Sequence, residues 1–208
     1  MIDYPAIKKF LETPGVEGKP ACIGYIPCQP KNYTGADDPS RYRVFGYSGV
    51  TVATGFDLGQ RTMSELTNKL KFPAYLVDKL SPYVGCKQRN AMAILHKKPL
   101  TLTTEDVDII NSLFIPYYCK TSVQPYYDRD AKGGLRFENI PSAAQCVIYS
   151  ILYQRGPGYI KSMKITWKAL TNGEWEEAAK ELTSSNWSDY RNRRNLEGRY
   201  LYDGTNGN

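Results

Sequence analysis

The sequence contains only one histidine, and this scarcity limits the chemistry open to the chain. His96 is followed by two lysines and belongs to no serine or cysteine nucleophile signature. A phosphate-binding loop and a dinucleotide-binding fingerprint are also absent. The five cysteines show no CxxC spacing, which argues against a zinc site. Together these absences argue against several large classes of enzyme.

The sequence also lacks a long apolar run. No stretch approaches the roughly 18–20 residues that a helix needs to cross a membrane. The first ten residues, MIDYPAIKKF, have no apolar core of the kind found in signal peptides. Export by that route is therefore not expected, and if the target lies outside the cytoplasm, delivery must follow another route, such as a secretion machine, a larger parent protein or phage-type lysis.

The basic residues are numerous but dispersed. The net charge of +6 favours anionic partners, which include nucleic acids, anionic membranes and anionic cell-wall polymers. No block of five or more Lys or Arg residues occurs, and the densest group is Arg191, Arg193 and Arg194. We predict that this arginine trio forms a solvated helix face, with contact to a substrate or a phosphate as the alternative.

The spacing of two cysteines bears on whether they form a disulfide. Cys22 and Cys28 are near enough in sequence to pair in an oxidising compartment. For most of the five cysteines, however, a buried free thiol is the expected state.

Apolar periodicity and capping signals predict a mostly helical chain of the α+β class. Asp3 caps a first helix that ends at residue 12, and a capping box at Ser142 and Gln145 opens the apolar helix expected to form the main core. Further helices are predicted at 62–70, 74–80, 87–96, 105–118, 167–170, 175–182 and 188–201. We expect one domain over 1–208, with a helix and β lobe at about 1–62 and a helical lobe at 63–208.

A short β segment, residues 48–59, holds the densest group of candidate functional residues. Apolar and polar residues alternate from Val50 to Thr54, which predicts a half-buried strand, with residues 42–47 as its hairpin partner. Thr51 and Asp57 are six positions apart, so a hydroxyl and a carboxylate could face the same side. Glu17 lies on the loop after the first helix.

These residues resemble the catalytic region of phage-type lysozymes, and more closely their pesticin-like branch of bacterial toxins. The resemblance is carried by the run SGVTVATGFDLG, by the Glu17-Gly18 pair after the first helix and by Tyr25-Ile26-Pro27. Residues 141–156 are similar to the central helix of these proteins, and residues 189–198 to their arginine-rich last helix. The interval of 34 residues between Glu17 and Thr51 is longer than expected, which leaves the role of residues 19–45 open.

The resemblance implies a lysozyme-like fold with two lobes, a small N-terminal lobe with a β-hairpin and a larger helical C-terminal lobe. It implies a muramidase, a glycoside hydrolase that cleaves the β-1,4 bond between N-acetylmuramic acid and N-acetylglucosamine in peptidoglycan. Its catalytic set corresponds here to Glu17 as general acid, Asp57 as base or electrostatic stabiliser, and Thr51 as the residue that positions water. Second choices are Ser48 or Thr54 for the hydroxyl and Glu12 for the acid.

Further expectations concern ligands and partners. The expected substrate contacts are Tyr25, Ser48, Thr54 and Phe56. We expect no cofactor, no metal, no nucleic acid and no membrane span, and a monomer that acts on glycan strands in the periplasm or cell wall of a target bacterium. In an antibacterial context, a cognate immunity protein would be a second partner. The alternatives are a chitinase-like hydrolase and a non-enzymatic module that binds cell wall or nucleic acid.

Overall fold

The computed structural model describes residues 1–187 and 189–206, and it divides the chain into two compact units. The terminal unit consists of Met1–Gly18 together with the chain from Ile115 onward, and the central unit is Lys19–Phe114. These bounds differ from the predicted division at residues 62 and 63. The first helix packs with the C-terminal part of the chain because Ile7, Phe10 and Leu11 are buried in its core.

Helices dominate the described residues, as predicted. The α-helices are α1 (Tyr4–Leu11), α2 (Ala74–Leu80), α3 (Gln88–Lys97), α4 (Thr104–Tyr118), α5 (Gln124–Asp130), α6 (Ser142–Arg155), α7 (Lys164–Asn172), α8 (Trp175–Thr183) and α9 (Arg191–Asn206). A π-helical turn occupies Glu65–Lys69. The predicted helix at 188–201 therefore begins later, and Ser188 lies outside the described residues. None of the described helices has the length and apolarity that a bilayer span requires.

Local capping signals explain where several helices begin. Asp3 caps α1, since its Oδ1 accepts the N–H of Ala6 at 3.0 Å. Thr103 and Asp106 cap α4 reciprocally, with each backbone N–H donated to the other side chain at 3.0 and 3.1 Å. The cap of α1 was predicted correctly because it depends on residues close together in sequence.

The capping box predicted at the start of α6 does not form. Pro141 occupies the N-cap position and has no N–H for Gln145 to accept. Instead, Ser142 Oγ donates to Asp3 Oδ2 at 2.8 Å, and Gln145 Oε1 accepts the N–H of Asp3 at 2.8 Å. The two side chains thus tie α6 to the start of α1. The helix itself is buried along most of its length, as expected for the main core of the terminal unit.

The central unit contains two small antiparallel sheets. The strands are β1 (Ala21–Tyr25), β2 (Cys28–Gln29), β3 (Arg43–Val44), β4 (Thr51–Ala53) and β5 (Phe56–Asp57). One sheet has the order β1-β4-β5, and the other pairs β2 with β3. The prediction that residues 42–47 pair with β4 is wrong. Ala53 and Gly55, with φ of 51° and 78°, reverse the chain directly after β4, so its local partner is the segment that follows.

All five cysteines are free in the structure. A bond between Cys22 and Cys28, one of the two predicted states, is therefore not formed. Cys28, Cys119 and Cys146 are buried, in agreement with the expectation of buried free thiols for most of the five, whereas Cys22 and Cys86 are partly exposed.

Candidate functional site

The β4–β5 turn places Thr51 directly opposite Asp57. The two residues are register partners in the antiparallel pair, and Val52 faces Phe56 one step nearer the turn. Residues directly opposite each other project from the same face of a sheet, with Cβ atoms about 4.5–5.5 Å apart. The hydroxyl and the carboxylate are thus neighbours, and the six-residue spacing in the sequence follows from the tight turn.

The two carboxylate oxygens of Asp57 have different surroundings. Oδ1 accepts the backbone N–H of Gly49 at 3.1 Å and that of Gly59 at 2.8 Å, while Oδ2 receives a 3.4 Å contact from Gln60 Nε2. Burial raises the pKa of Asp57, and the hydrogen bonds from Gly59, Gly49 and Gln60 and the charge of Arg61 oppose that rise. Asp57 is therefore a partly desolvated carboxylate that backbone amides hold in place.

Gly49 and Gly59 are required by the close approach of two backbone segments. A Cβ atom on Gly49 would lie 2.6 Å from the Cα of Gly59 and 2.5 Å from the carbonyl oxygen of Cys86. A Cβ atom on Gly59 would lie 2.7 Å from the same carbonyl oxygen. Only glycine fits at both positions, and this contact brings both amides to one oxygen of Asp57.

Glu17 belongs to the terminal unit, where an arginine from α9 holds it. Glu17 donates its backbone N–H to Leu11 O at 3.0 Å, so the loop folds back onto the end of α1. Arg193 Nη1 donates to Glu17 Oε1 at 2.7 Å and to Val16 O at 3.2 Å. The Glu17 side chain is 20% exposed. Glu17 is therefore a positioned carboxylate that keeps access to solvent.

Arg193 is part of a buried ionic cluster on α9. Its Nε lies 3.2 Å from Glu197 Oε1, and Arg194 Nη1 lies 3.0 Å from Glu197 Oε2. Ser150 of α6 donates to Glu197 Oε1 at 2.6 Å. Burial raises the pKa of Glu197 and lowers that of Arg194. The guanidinium charges oppose the rise at Glu197.

The prediction of a solvated arginine face is wrong for two of the three residues. Arg193 and Arg194 are buried, and only Arg191 is exposed. The signal that could have revealed this was the spacing of Arg193 and Arg194 from Glu197, four and three positions along one helix. Arg193 and Glu17 are 176 positions apart, so no local signal in the sequence predicted their contact.

The expected substrate contacts differ in accessibility. Tyr25 lies on β1, where it pairs with Thr51 of β4, and it is partly exposed. Ser48 is also partly exposed, and its carbonyl oxygen accepts the N–H of Gln88 at 2.9 Å. Thr54 is buried, and its N–H donates to Asn111 Oδ1 at 3.3 Å.

Phe56 differs from the other expected contacts because it is a core residue. It is 1% exposed and makes edge contacts with the rings of Phe72 and Phe114. Its ring therefore presents no face to a substrate. In the part of the chain that the structure describes, no group of three or more His, Cys, Asp or Glu side chains could hold a metal ion.

Comparison with known proteins identifies the family of the chain. A family model described as "Pesticin: Bacterial toxin homologue of phage lysozyme, C-term" matches residues 7–176, a span that includes Glu17, Thr51 and Asp57. A comparison with curated proteins finds no significant match. Since the family match covers most of the chain, the resemblance inferred from the sequence is confirmed, and the chain belongs to the pesticin family of bacterial toxins homologous to phage lysozyme.

Proposed function

We propose that this muramidase-type toxin domain hydrolyses the β-1,4 bond between N-acetylmuramic acid and N-acetylglucosamine in peptidoglycan. The observation that carries the proposal is the Thr51–Asp57 pair, in which backbone amides hold the carboxylate beside a hydroxyl. A hydroxyl both donates and accepts hydrogen bonds, so Thr51 can orient a water molecule next to Asp57.

In the proposed reaction, Asp57 activates water or stabilises positive charge on the sugar. Its Oδ1 is engaged by the amides of Gly49 and Gly59. From the described residues, Oδ2 receives only the 3.4 Å contact of Gln60. Oδ2 is therefore the atom to which a water molecule would transfer its proton.

Glu17 is the proposed general acid. Arg193 holds Oε1 at 2.7 Å, so the proton that passes to the leaving glycosidic oxygen is assigned to Oε2. The role of Arg193 is to orient the carboxyl group, because its guanidinium is fixed in turn by Glu197 and Ser150. Without that support the Glu17 side chain would sample several rotamers.

The biological setting is proposed from the family. Peptidoglycan strands in the periplasm or cell wall of a target bacterium are the substrate, with Tyr25 and Ser48 as candidate contacts. A cognate immunity protein is the proposed partner. The proposed routes by which the chain reaches the target are a secretion machine, a larger parent protein and phage-type lysis.

The test is mass spectrometry of the soluble products from purified sacculi treated with the wild type, with Glu17→Gln and with Glu12→Gln. Glu12→Gln is the comparison variant because Glu12 is the second choice for the acid, lies on the same segment and forms a salt bridge with Lys8 at 2.6 Å. The wild type and Glu12→Gln should release disaccharide muropeptides with a reducing N-acetylmuramic acid end. The rate of Glu17→Gln should fall by about 10²–10⁴-fold, the usual contribution of a general acid.

Four other outcomes would contradict parts of the proposal. Equal product release by Glu17→Gln would remove Glu17 from the catalytic role. Cleavage of chitin oligomers without release from sacculi would indicate a chitinase-like enzyme. Wall binding with no product from any variant would indicate a binding module, and strongly salt-dependent DNA binding without wall binding a nucleic-acid module.

A further inference from the structure

The central unit carries an open groove of about 1040 Å³ between the β2–β3 pair and the start of α3. Its lining includes four cationic side chains and no carboxylate; the cations are Arg41, Arg43, Lys87 and Arg89. The remaining lining residues are polar or apolar, and one of them, Met92, is buried. The groove is therefore concave and positively charged.

The positive charge of this groove is only partly offset by acids nearby, since the charge of Arg41 helps to lower the pKa values of Asp37 and Asp38 on the preceding loop. Among the described residues, none of its four cations lies within 4.0 Å of a carboxylate oxygen. By contrast, Arg61 and Lys79 of the same unit form salt bridges of 2.8 and 2.7 Å. A cluster of unpaired cations in a concavity concentrates positive potential and attracts anions.

The nearest acids of the preceding loop are engaged elsewhere. Asp37 accepts a hydrogen bond from the Tyr42 hydroxyl and lies 3.4 Å from Lys31. Asp38 accepts hydrogen bonds from the amide and the hydroxyl of Ser40 at 2.9 and 2.8 Å. Both acids are therefore engaged mainly by groups of their own loop, and Arg41 is the groove cation whose charge helps to lower their pKa values.

The groove begins next to the proposed catalytic carboxylate. Lys87, in the groove wall, forms an antiparallel bridge with Gly49, and the amide of Gly49 donates to Asp57 at 3.1 Å. Gln88, also in the wall, donates its backbone N–H to Ser48 O at 2.9 Å. One backbone segment thus separates the groove from Asp57.

An exposed aromatic loop joins the two sites. Gln60 Nε2 donates to Tyr47 O at 2.9 Å and also contacts Asp57, while Gln88 Nε2 donates to Gly46 O at 2.9 Å. Tyr47 is 73% exposed and Phe45 is 49% exposed. Two adjacent carbonyl oxygens of the loop are therefore held by Gln60 and Gln88, and the loop presents two aromatic side chains to solvent.

We propose that this groove binds the free carboxylates of the stem peptides of peptidoglycan. The inference rests on the proposed function, which places a glycan strand at Asp57. Peptidoglycan carries short acidic peptides on the lactyl group of its muramic acid residues, so a strand positioned at Asp57 has carboxylates close to the cleaved bond. An anionic branch next to a neutral glycan matches a cationic groove next to Asp57 and Tyr47.

The experiment compares two substrates on ice by co-sedimentation: intact sacculi free of phosphate polymers, and the same sacculi stripped of peptides by an amidase. The groove variant is Arg43→Gln/Arg89→Gln. The matched control, Lys97→Gln/Lys98→Gln, removes the same charge from exposed residues at the far end of α3. Circular dichroism and Tm establish that both variants fold.

The groove variant should bind intact sacculi about fivefold more weakly than the wild type, the effect expected from losing two exposed ion pairs. It should bind stripped sacculi as the wild type does, and the control should match the wild type on both. Undiminished binding by the groove variant, or an equal loss on both substrates, would overturn the inference. So would a groove variant that keeps full wall binding but loses affinity for an acidic immunity protein.

Cleavage of the stripped glycan strands is measured separately. It reports on the proposed muramidase activity without involving the peptides. Failure of that activity and failure of peptide recognition are therefore distinguishable.

Discussion

Asp57, the proposed base or electrostatic stabiliser, is held at a cost to stability. Its burial raises its pKa, so the folded state favours the protonated carboxyl group. The group supports folding at pH values below the ordinary range for Asp, and this support is lost as the pH rises through the raised pKa. At neutral pH the chain therefore keeps an ionised, partly desolvated carboxylate that it would be more stable without.

The consequence is that Asp57→Asn should be more stable than the wild type at neutral pH and should lose lytic activity. We expect the Tm to rise by about 2–4 °C, the shift that about 1 kcal/mol produces in a chain of this size. The advantage should shrink as the pH falls through the raised pKa of Asp57, because the wild-type carboxyl group is then neutral as well. Thermal melts across acidic and neutral pH, with turbidity assays on sacculi, measure both effects.

Asp108→Asn is the control for this substitution, since Asp108 is an exposed residue of α4. Its Tm should stay close to that of the wild type. A lower Tm for Asp57→Asn at neutral pH would mean that the amides of Gly49 and Gly59 stabilise the charge more than burial destabilises it.

At the scale of elements, α9 shows how one helix supports both the core and the site. Arg193 and Arg194 face inward and form salt bridges with Glu197, and Arg193 also forms a salt bridge with Glu17. A buried ion pair is costly to break, because removal of one partner leaves the other charge desolvated and unpaired. The inner face of α9 is therefore a condition for folding as well as for the position of Glu17.

Arg193→Ala and Arg191→Ala compare the contributions to stability of the buried and the exposed face of this helix. Arg193→Ala should destabilise the chain by about 3–5 kcal/mol, because Glu197 loses a buried partner. Arg191 is exposed, so its substitution should change stability by less than about 0.5 kcal/mol. Urea unfolding followed by circular dichroism measures both. Equal small effects would show that the α9 cluster is open to water.

At the scale of the whole molecule, the five free thiols are distributed by accessibility. Burial raises the pKa of Cys119 to about 12 and that of Cys146 to about 11, so both thiols stay protonated and unreactive. Cys28 is buried as well, whereas Cys22 and Cys86 are partly exposed. The fold therefore does not depend on a disulfide.

Thiol titration checks this distribution. In the native protein, a thiol reagent should modify Cys22 and Cys86 quickly and the other three cysteines slowly, and all five should react in denaturant. A reducing agent should leave the Tm unchanged. A drop in Tm on reduction, or fewer than five thiols in denaturant, would indicate a disulfide and contradict the structure.

The sequence by itself determined the features that depend on neighbouring residues. The cap of α1, the extent of α2 and a shared side for Thr51 and Asp57 could all be predicted, because hydrogen bonds and steric limits act over a few positions. The spacing of these two residues carried the resemblance to lysozymes. Glycines 49 and 59 were visible in the sequence, but their mutual contact was not.

Only the tertiary structure decided which distant segments meet. β4 pairs with β1 rather than with residues 42–47, α1 packs with the C-terminal helices, and Arg193 reaches Glu17 across 176 positions. Such contacts form because burial of apolar surface outweighs the entropy of closing long loops, a balance set by the packing of the whole unit. For the same reason Arg193 and Arg194, which look like solvated charges in the sequence, are core residues in the fold.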